Sequence, residues 1–163
     1  MSLEGKRILI AYYSKTNVTK NIAGFIKEIT GGDEFRVEPV TPYPQDYHQT
    51  TQQAKQEQQA GFRPEIVSKG DISNYDVIFF GSPCWWGTIA CPMETFITSH
   101  DFRGKTIIPF ITHGGSGLGR TVEEIKKLAP GANVVYGKAF GDPQWVSGSG
   151  KTDVAKWISS IKL

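Results

Sequence analysis

The sequence is poor in cysteine, in long apolar runs and in clustered charge, and each lack excludes a class of protein. Its 163 residues include two cysteines, Cys84 and Cys91, which are too few for a disulfide framework and match no zinc-ligand spacing. No apolar run approaches the roughly 20 residues that span a bilayer. The net charge of +2 comes without a block of lysine or arginine. We therefore expect neither a membrane segment nor a nucleic-acid partner.

The beginning of the chain also lacks the basic and apolar pattern of a signal peptide. Together with the two cysteines, which suit a reducing compartment, this absence predicts a cytoplasmic protein. Apolar residues make up 39% of the chain, a content typical of globular proteins. The length fits a single domain over residues 1–163. We find neither paired carboxylates nor a Ser/His/Asp set that would indicate a hydrolase.

Predicted strands and helices alternate along the chain. Apolar runs predict buried strands at 8–11, 75–81, 105–111 and 134–136, the last resuming near 139–140, and an alternating pattern predicts a half-buried strand near a sheet edge at 35–40. Apolar residues spaced i, i+3, i+4, i+7 predict amphipathic helices over 22–29 and 154–161, with shorter helices at 93–97 and 122–128. This alternation predicts an α/β three-layer sandwich with a five-stranded parallel sheet.

The glutamine-rich segment 47–60 fits this pattern less well. It contains good helix formers but hardly any apolar face. We interpret it as a solvated helix or a long excursion, and a disordered glutamine tract is the alternative. No chemistry is assigned to it.

The first candidate site is the loop that joins the first strand to the first helix. It contains the hydroxyls of Ser14, Thr16 and Thr19, which can donate hydrogen bonds to phosphate oxygens. The amides at a helix start have no intrahelical partner, and the helix dipole adds a partial positive charge there. This loop therefore predicts a phosphate site. The simpler alternative is a capped helix, because Ser, Thr and Asn are common N-cap residues.

Two further loops, 81–88 and 112–119, leave the ends of the third and fourth predicted strands. The first contains Trp85, Trp86 and Gly87, and an indole offers a flat face on which a planar ring can stack. The alternative is that one indole covers the apolar flank of the sheet. The second loop is rich in glycine and offers amide donors. Ligands of open parallel sheets lie at the carboxyl ends of the strands, so the three loops together predict a mononucleotide, and a flavin suits the paired aromatics best.

On these motifs the chain resembles the bacterial flavodoxins that carry a Trp-Trp-Gly loop and a Thr-His-Gly-Gly-Ser-Gly loop. The resemblance extends from Arg7 to about Trp157 and implies the sheet order 2-1-3-4-5. The first loop departs from the family pattern Ser-x-Thr-Gly-Asn-Thr, because Asn17-Val18 replaces Gly-Asn. Asparagine tolerates left-handed backbone angles, so we expect the turn to be kept.

The resemblance implies FMN as a non-covalent cofactor and assigns its contacts to the three loops. The phosphate would lie on the first loop, which contributes Ser14, Lys15, Thr16, Asn17, Val18 and Thr19. The ring would lie against the second and third loops, which contribute Pro83, Cys84, Trp85, Trp86, Gly87, Thr112, His113, Gly114, Gly115 and Gly117.

By the same resemblance, the protein would carry electrons to a redox partner protein or a small-molecule acceptor. Flavodoxins of this kind are typically strongly acidic, whereas this chain has a pI near 8.5, so electrostatic steering of basic partners would be weak or reversed. Two alternatives stay open. One is an NAD(P)H-dependent FMN oxidoreductase acting on quinones or similar acceptors, and the other is a flavin-binding sensor or interaction module without turnover.

One further motif is excluded. The stretch from Ser147 to Thr152 resembles the end of a P-loop. A P-loop needs a glycine five residues before Gly150, and that position is Trp145 in this sequence. We interpret the stretch as a flexible turn that caps the last helix.

Replacing Trp85 by alanine and replacing Trp86 by alanine should lower FMN affinity by different amounts. Only one of two adjacent indoles can lie flat on the ring, and stacking is worth about 0.5–1.5 kcal/mol beyond burial. Titration of FMN fluorescence against each variant measures the two affinities. Equal, small effects of the two substitutions would show that neither indole stacks on the flavin ring.

Overall fold

The computed structural model describes residues 3–141 and 148–163. Seven strands and five helices alternate along these residues. In chain order they are β1 (Ile8–Tyr12), α1 (Val18–Thr30), β2 (Asp33–Arg36), α2 (Tyr47–Ala60), β3 (Val77–Trp85), β4 (Thr88–Ile89), α3 (Cys91–Thr98), β5 (Thr106–His113), α4 (Thr121–Leu128), β6 (Asn133–Val134), β7 (Lys138–Gly141) and α5 (Gly148–Ser159).

The sheet has the predicted order. Strands β2, β1, β3 and β5 lie side by side, and both β6 and β7 pair with β5. All of these pairings are parallel. If β5 counts as the fourth strand and β6 with β7 as an interrupted fifth, the order is 2-1-3-4-5. The short β4 lies outside this series and pairs antiparallel with the end of β3.

Helices cover both faces of the sheet, which explains the uninterrupted apolar run of β3. Alternate residues of a strand point to opposite faces, and Phe79 and Phe80 are both fully buried. Phe79 joins the core cluster beneath α1 and α5 that includes Ile22 and Ile158. Phe80 joins the cluster on the other face, with Phe96 of α3. Each buried phenylalanine contributes about 1.5–3 kcal/mol, and the three-layer sandwich is confirmed.

Two strands differ in length from the prediction. Strand β2 ends at Arg36 rather than at Val40, and beyond it Pro39 forms only an isolated bridge with Ile66. The ladder ends where β1 ends, because Arg36 pairs with Tyr12, the last residue of that strand. Strand β3 continues past Gly81 to Trp85 and turns back into β4. The second loop is therefore a hairpin.

The fifth strand is interrupted for a local reason. Tyr136 lies between β6 and β7 with a φ of 58°, a left-handed conformation outside the extended region of a regular strand. The indole of Trp157 in α5 donates to the carbonyl oxygen of Tyr136 at 2.7 Å. This contact fixes the break against the last helix.

Segment 47–60 forms the solvated helix α2. The Asp46 side chain accepts a hydrogen bond from the Gln49 amide at 2.8 Å and so caps its start, and Thr50 and Ala54 are its buried residues. No helix in the described ranges is long and apolar enough to cross a bilayer.

The last helix corrects one interpretation. Residues from Gly148 onward form the first turns of α5 rather than a flexible turn, so a good part of the P-loop-like stretch is helical. Trp145 lies outside the described residues.

Gly81→Ala should destabilise the fold, whereas Gly24→Ala should not. A Cβ at Gly81 would lie 2.2 Å from Cζ of the fully buried Phe110, and such overpacking costs about 1–3 kcal/mol. A Cβ at Gly24, inside α1, would meet nothing within 4 Å and should stabilise the helix by up to about 1 kcal/mol. Urea unfolding of FMN-free protein measures both changes. Equal midpoints for the two variants would contradict this account of the β3–β5 packing.

Candidate functional site

The three predicted loops meet at one edge of the sheet. They follow β1, β3 and β5, which are parallel neighbours, so their carboxyl ends lie together. The hydroxyls of Thr19 and Thr112 share a hydrogen bond of 2.9 Å, which joins the first loop to the third. The amide of Arg120 donates to the carbonyl oxygen of Gly87 at 2.7 Å, which joins the hairpin to the turn before α4. The predicted convergence is confirmed.

The start of α1 is built to leave amides available. Its N-cap residue Asn17 is left-handed (φ 66°, ψ 5°) and makes no side-chain cap bond, so asparagine keeps the turn as expected. The buried Ser14 hydroxyl instead accepts from the Lys20 amide at 3.2 Å. The Arg36 guanidinium donates to the carbonyl oxygen of Ser14 at 2.6 Å and fixes this loop. The first turn contains no acidic residue, so its amides and dipole suit an anion.

The hairpin between β3 and β4 has an unusual turn. Its two central residues, Trp86 (φ 53°) and Gly87 (φ 82°), are both left-handed, as a type I′ turn requires. A bulky residue rarely adopts such angles. The indole nitrogen of Trp86 donates to the carbonyl oxygen of Thr51 at 2.8 Å, and the Lys55 ammonium lies 5.1 Å from the ring centroid. Trp86 keeps 48% of its surface exposed.

Trp85 has a different environment. Its ring lies 5.6 Å from that of Tyr13 and 5.0 Å from that of Tyr43, nearly perpendicular to both, and it packs against the core cluster of that face. The alternative interpretation, an indole that covers the apolar flank of the sheet, therefore describes part of the role of Trp85. The side-chain amide of Gln58 donates to the Trp85 carbonyl oxygen at 2.7 Å.

The third loop packs against the hairpin through a glycine. A Cβ at Gly119 would lie 2.6 Å from the carbonyl oxygen of Gly87, so only glycine permits this close approach. Within the loop, the ring nitrogen Nδ1 of His113 accepts from the Gly115 amide at 3.0 Å. His113 therefore organises its own loop.

A cavity of about 490 Å³ lies where these elements meet, a size typical of small-molecule sites. The predicted residues that line it are Lys15, Thr16, Val18, Thr19, Pro83, Cys84, Trp85, Trp86 and Thr112. Helix α2 completes the wall with Tyr47, His48, Thr50, Thr51, Gln52 and Ala54. Several residues of each of the first two loops thus line the same cavity, together with helix α2. From the sequence alone, no chemistry is assigned to that helix.

The other predicted residues do not border this cavity in the part of the chain that the structure describes; they are Ser14, Asn17, Gly87, His113, Gly114, Gly115 and Gly117. Ser14 and Asn17 shape the start of α1, and Gly87 forms the hairpin turn. The contribution of α2 was missed because its sequence has no apolar stripe. The four-residue spacing of Thr50 and Ala54, small residues that both face inward, is the signal that could have found it.

The family model described as Flavodoxin matches residues 7–161. The chain belongs to the flavodoxin family. Two similar solved structures, from Bacteroides eggerthii and Bacteroides uniformis, are both described as flavoproteins. They are 31% and 32% identical to this chain, and each gives a TM-score of 0.83. Each alignment covers 96% of this chain, and it covers 98% of the first relative and 99% of the second. A flavoprotein from Lactobacillus acidophilus in complex with FMN is 29% identical, covers 94% of this chain and 99% of its own, and gives a TM-score of 0.72. No curated protein matches significantly.

The two cysteines of this flavodoxin-family protein differ in environment. Cys91 is fully buried, and burial, reinforced by Glu57 and Glu94, raises the pKa of its thiol to about 12. Cys84 is half-buried and lines the cavity. No group of three or more His, Cys, Asp or Glu side chains able to hold a metal occurs among residues 3–141 and 148–163. We infer that Cys91 fills the core.

Iodoacetamide at pH 8 should alkylate Cys84 in the folded protein and leave Cys91 unmodified. Thiolate is the reactive form, and Cys91 combines a raised pKa with full burial. We expect Cys91 to react at least about 100-fold more slowly, as measured by mass spectrometry of peptides over time. In guanidinium both cysteines should react alike, which provides the control. Comparable rates in the folded protein would show that the core around α3 opens readily.

Proposed function

We propose that this protein binds FMN non-covalently in the cavity and carries electrons through it. One observation carries the proposal: an anion-suited helix start and an aromatic hairpin face the same cavity of about 490 Å³. Membership of the flavodoxin family supports it, as does the FMN complex of the Lactobacillus acidophilus flavoprotein.

The phosphate end of the cavity fits a dianion. Lys15 and Thr16 line it beside the first turn of α1, where no acidic residue opposes a phosphate. The Ser14 hydroxyl caps Lys20 and the Thr19 hydroxyl bonds Thr112. We therefore expect Thr16, which lines the cavity, to supply the hydroxyl donor, with first-turn amides as further donors.

The other end of the cavity fits a planar ring. Pro83, Cys84 and Trp85 lie along the end of β3, and Trp86 follows in the turn. When bound, the flavin supplies the redox chemistry. These side chains would hold it, exclude water from one side and offer an aromatic face. Thr112, at the end of β5, would contact the same ligand from the neighbouring strand.

A specific observation favours a second candidate, an FMN-dependent oxidoreductase that takes reducing equivalents from a nicotinamide. The α2 wall brings Tyr47, His48 and Gln52 to the cavity, and neither the phosphate nor the ring assignment uses these polar groups. They are available to a small acceptor such as a quinone. Steady-state oxidation of NADPH that depends on added quinone would favour this candidate, whereas exchange of electrons only with protein partners would favour the carrier.

Thr16→Ala should weaken FMN binding by about 1–3 kcal/mol, because a charged acceptor then lacks one donor. Calorimetric titration of FMN into apoprotein measures the change. Thr41→Ala is the matched control, since Thr41 is exposed and lies outside this cavity. Unchanged affinity in Thr16→Ala would show that backbone amides and Lys15 suffice for the phosphate. If saturating FMN changes neither the tryptophan emission nor the melting temperature of the unmodified protein, the proposed function is wrong.

A further inference from the structure

Helix α2 contacts both tryptophans of the hairpin. The Gln58 side-chain amide donates to the Trp85 carbonyl oxygen at 2.7 Å, and the Trp86 indole donates to the Thr51 carbonyl oxygen at 2.8 Å. The Lys55 ammonium lies 5.1 Å from the centroid of the Trp86 ring. These three contacts come from successive turns of one helix, and all of them reach the two tryptophans at the tip of the hairpin.

The hairpin needs such support because its turn is strained. Trp86 occupies a left-handed conformation at φ 53°, which a bulky side chain disfavours, and the residue is 48% exposed. The Arg120 amide, just before α4, donates to the Gly87 carbonyl oxygen at 2.7 Å. The turn is therefore held between α2 and the start of α4.

Helix α2 has its own attachments to the rest of the fold. The carboxylate of Glu57 accepts from the Tyr43 hydroxyl at 2.5 Å and from the Gln53 side chain at 3.0 Å. The buried Thr50 hydroxyl donates to the Pro44 carbonyl oxygen at 2.6 Å. The Tyr43 and Thr50 bonds connect α2 to the segment before it, whereas the Gln53 bond lies within the helix. The Thr50–Pro44 bond does not involve the hairpin, and Tyr43 also packs on the Trp85 ring. The helix can therefore serve as a fixed reference for the turn.

We propose that Gln58 is a positioning residue, which sets the place of the two indoles by holding the Trp85 carbonyl group. Gln58 does not border the cavity, so it acts on a ligand only through the hairpin. The proposal rests on the proposed function, because FMN is the ligand whose affinity and reduction potential should change when Gln58 is replaced. It assigns a role to the glutamine-rich helix that its composition does not indicate.

Gln58→Met tests the proposal, because methionine has nearly the same length and helix propensity but no hydrogen-bond donor. Gln56→Met is the matched control, since Gln56 is exposed on the same helix. In FMN-free protein, hydrogen exchange at residues 85–89 should be about threefold to tenfold faster in Gln58→Met, as expected for one lost hydrogen bond. The control should exchange like the unmodified protein.

With FMN, Gln58→Met should raise the dissociation constant by about threefold to tenfold and shift the reduction potential and the flavin absorption band. The control should leave all three unchanged. Thermal unfolding of both apoproteins shows whether stability alone accounts for a difference, since a purely structural defect would lower the melting temperature without moving the potential. An absorption band and a potential equal to those of the control would overturn the proposal.

The two proposals fail in distinguishable ways. If the unmodified protein takes up no FMN, the proposed function is wrong. The exchange rates of the FMN-free hairpin then still decide whether Gln58 holds it. If FMN binds tightly but Gln58→Met and Gln56→Met exchange at the same rate over 85–89, the role of Gln58 is overturned while FMN binding stands.

Discussion

The parallel pairing of β1, β3 and β5 is the constraint on which the site depends. In this register Ile10 pairs with Phe79, which pairs with Ile108, and all three are fully buried. A shift of one residue in any of these strands would move its side chains to the opposite face. The core therefore fixes where each strand ends along the sheet. The loops that follow are thereby brought to one edge, where the cavity lies.

The two adjacent indoles show how one dipeptide can serve both the core and the cavity. Consecutive residues of a strand point to opposite sides, but Trp86 is the first central residue of the type I′ turn, and its left-handed backbone changes the direction of its side chain. Trp85 packs perpendicular to Tyr13 and Tyr43, whose buried hydroxyls have raised pKa values and so stay neutral. Trp86 lies half exposed against α2. Core packing thus fixes one wall of the cavity and helix contacts fix the next.

Much of the fold could be predicted from the sequence because burial on both faces leaves long apolar runs. The strands and helices carrying Phe79, Ile22 and Ile158 have clear periodicities, and the predicted order of the sheet is observed. The breaks were harder to predict. Tyr136 interrupts the last strand with a positive φ, although a tyrosine usually favours strands. Its conformation depends on the contact with Trp157, which comes from a distant part of the chain.

In the candidate site, too, some features could be predicted from the sequence and others depend on contacts between distant parts of the chain. Asn17 was predicted to keep the left-handed turn, because that preference belongs to the residue itself, and its φ of 66° confirms it. Trp86 has no such intrinsic preference. Its left-handed angle is compatible with the fold because Gly87 follows it and two hydrogen bonds hold the turn. The Trp86 indole donates to the Thr51 carbonyl oxygen, and the Arg120 amide donates to the Gly87 carbonyl oxygen. Thr51 lies on α2 and Arg120 lies just before α4, so the strained turn depends on tertiary contacts as well as on the glycine beside it. A sequence motif can locate such a turn, but the assembled fold determines which way its side chains face.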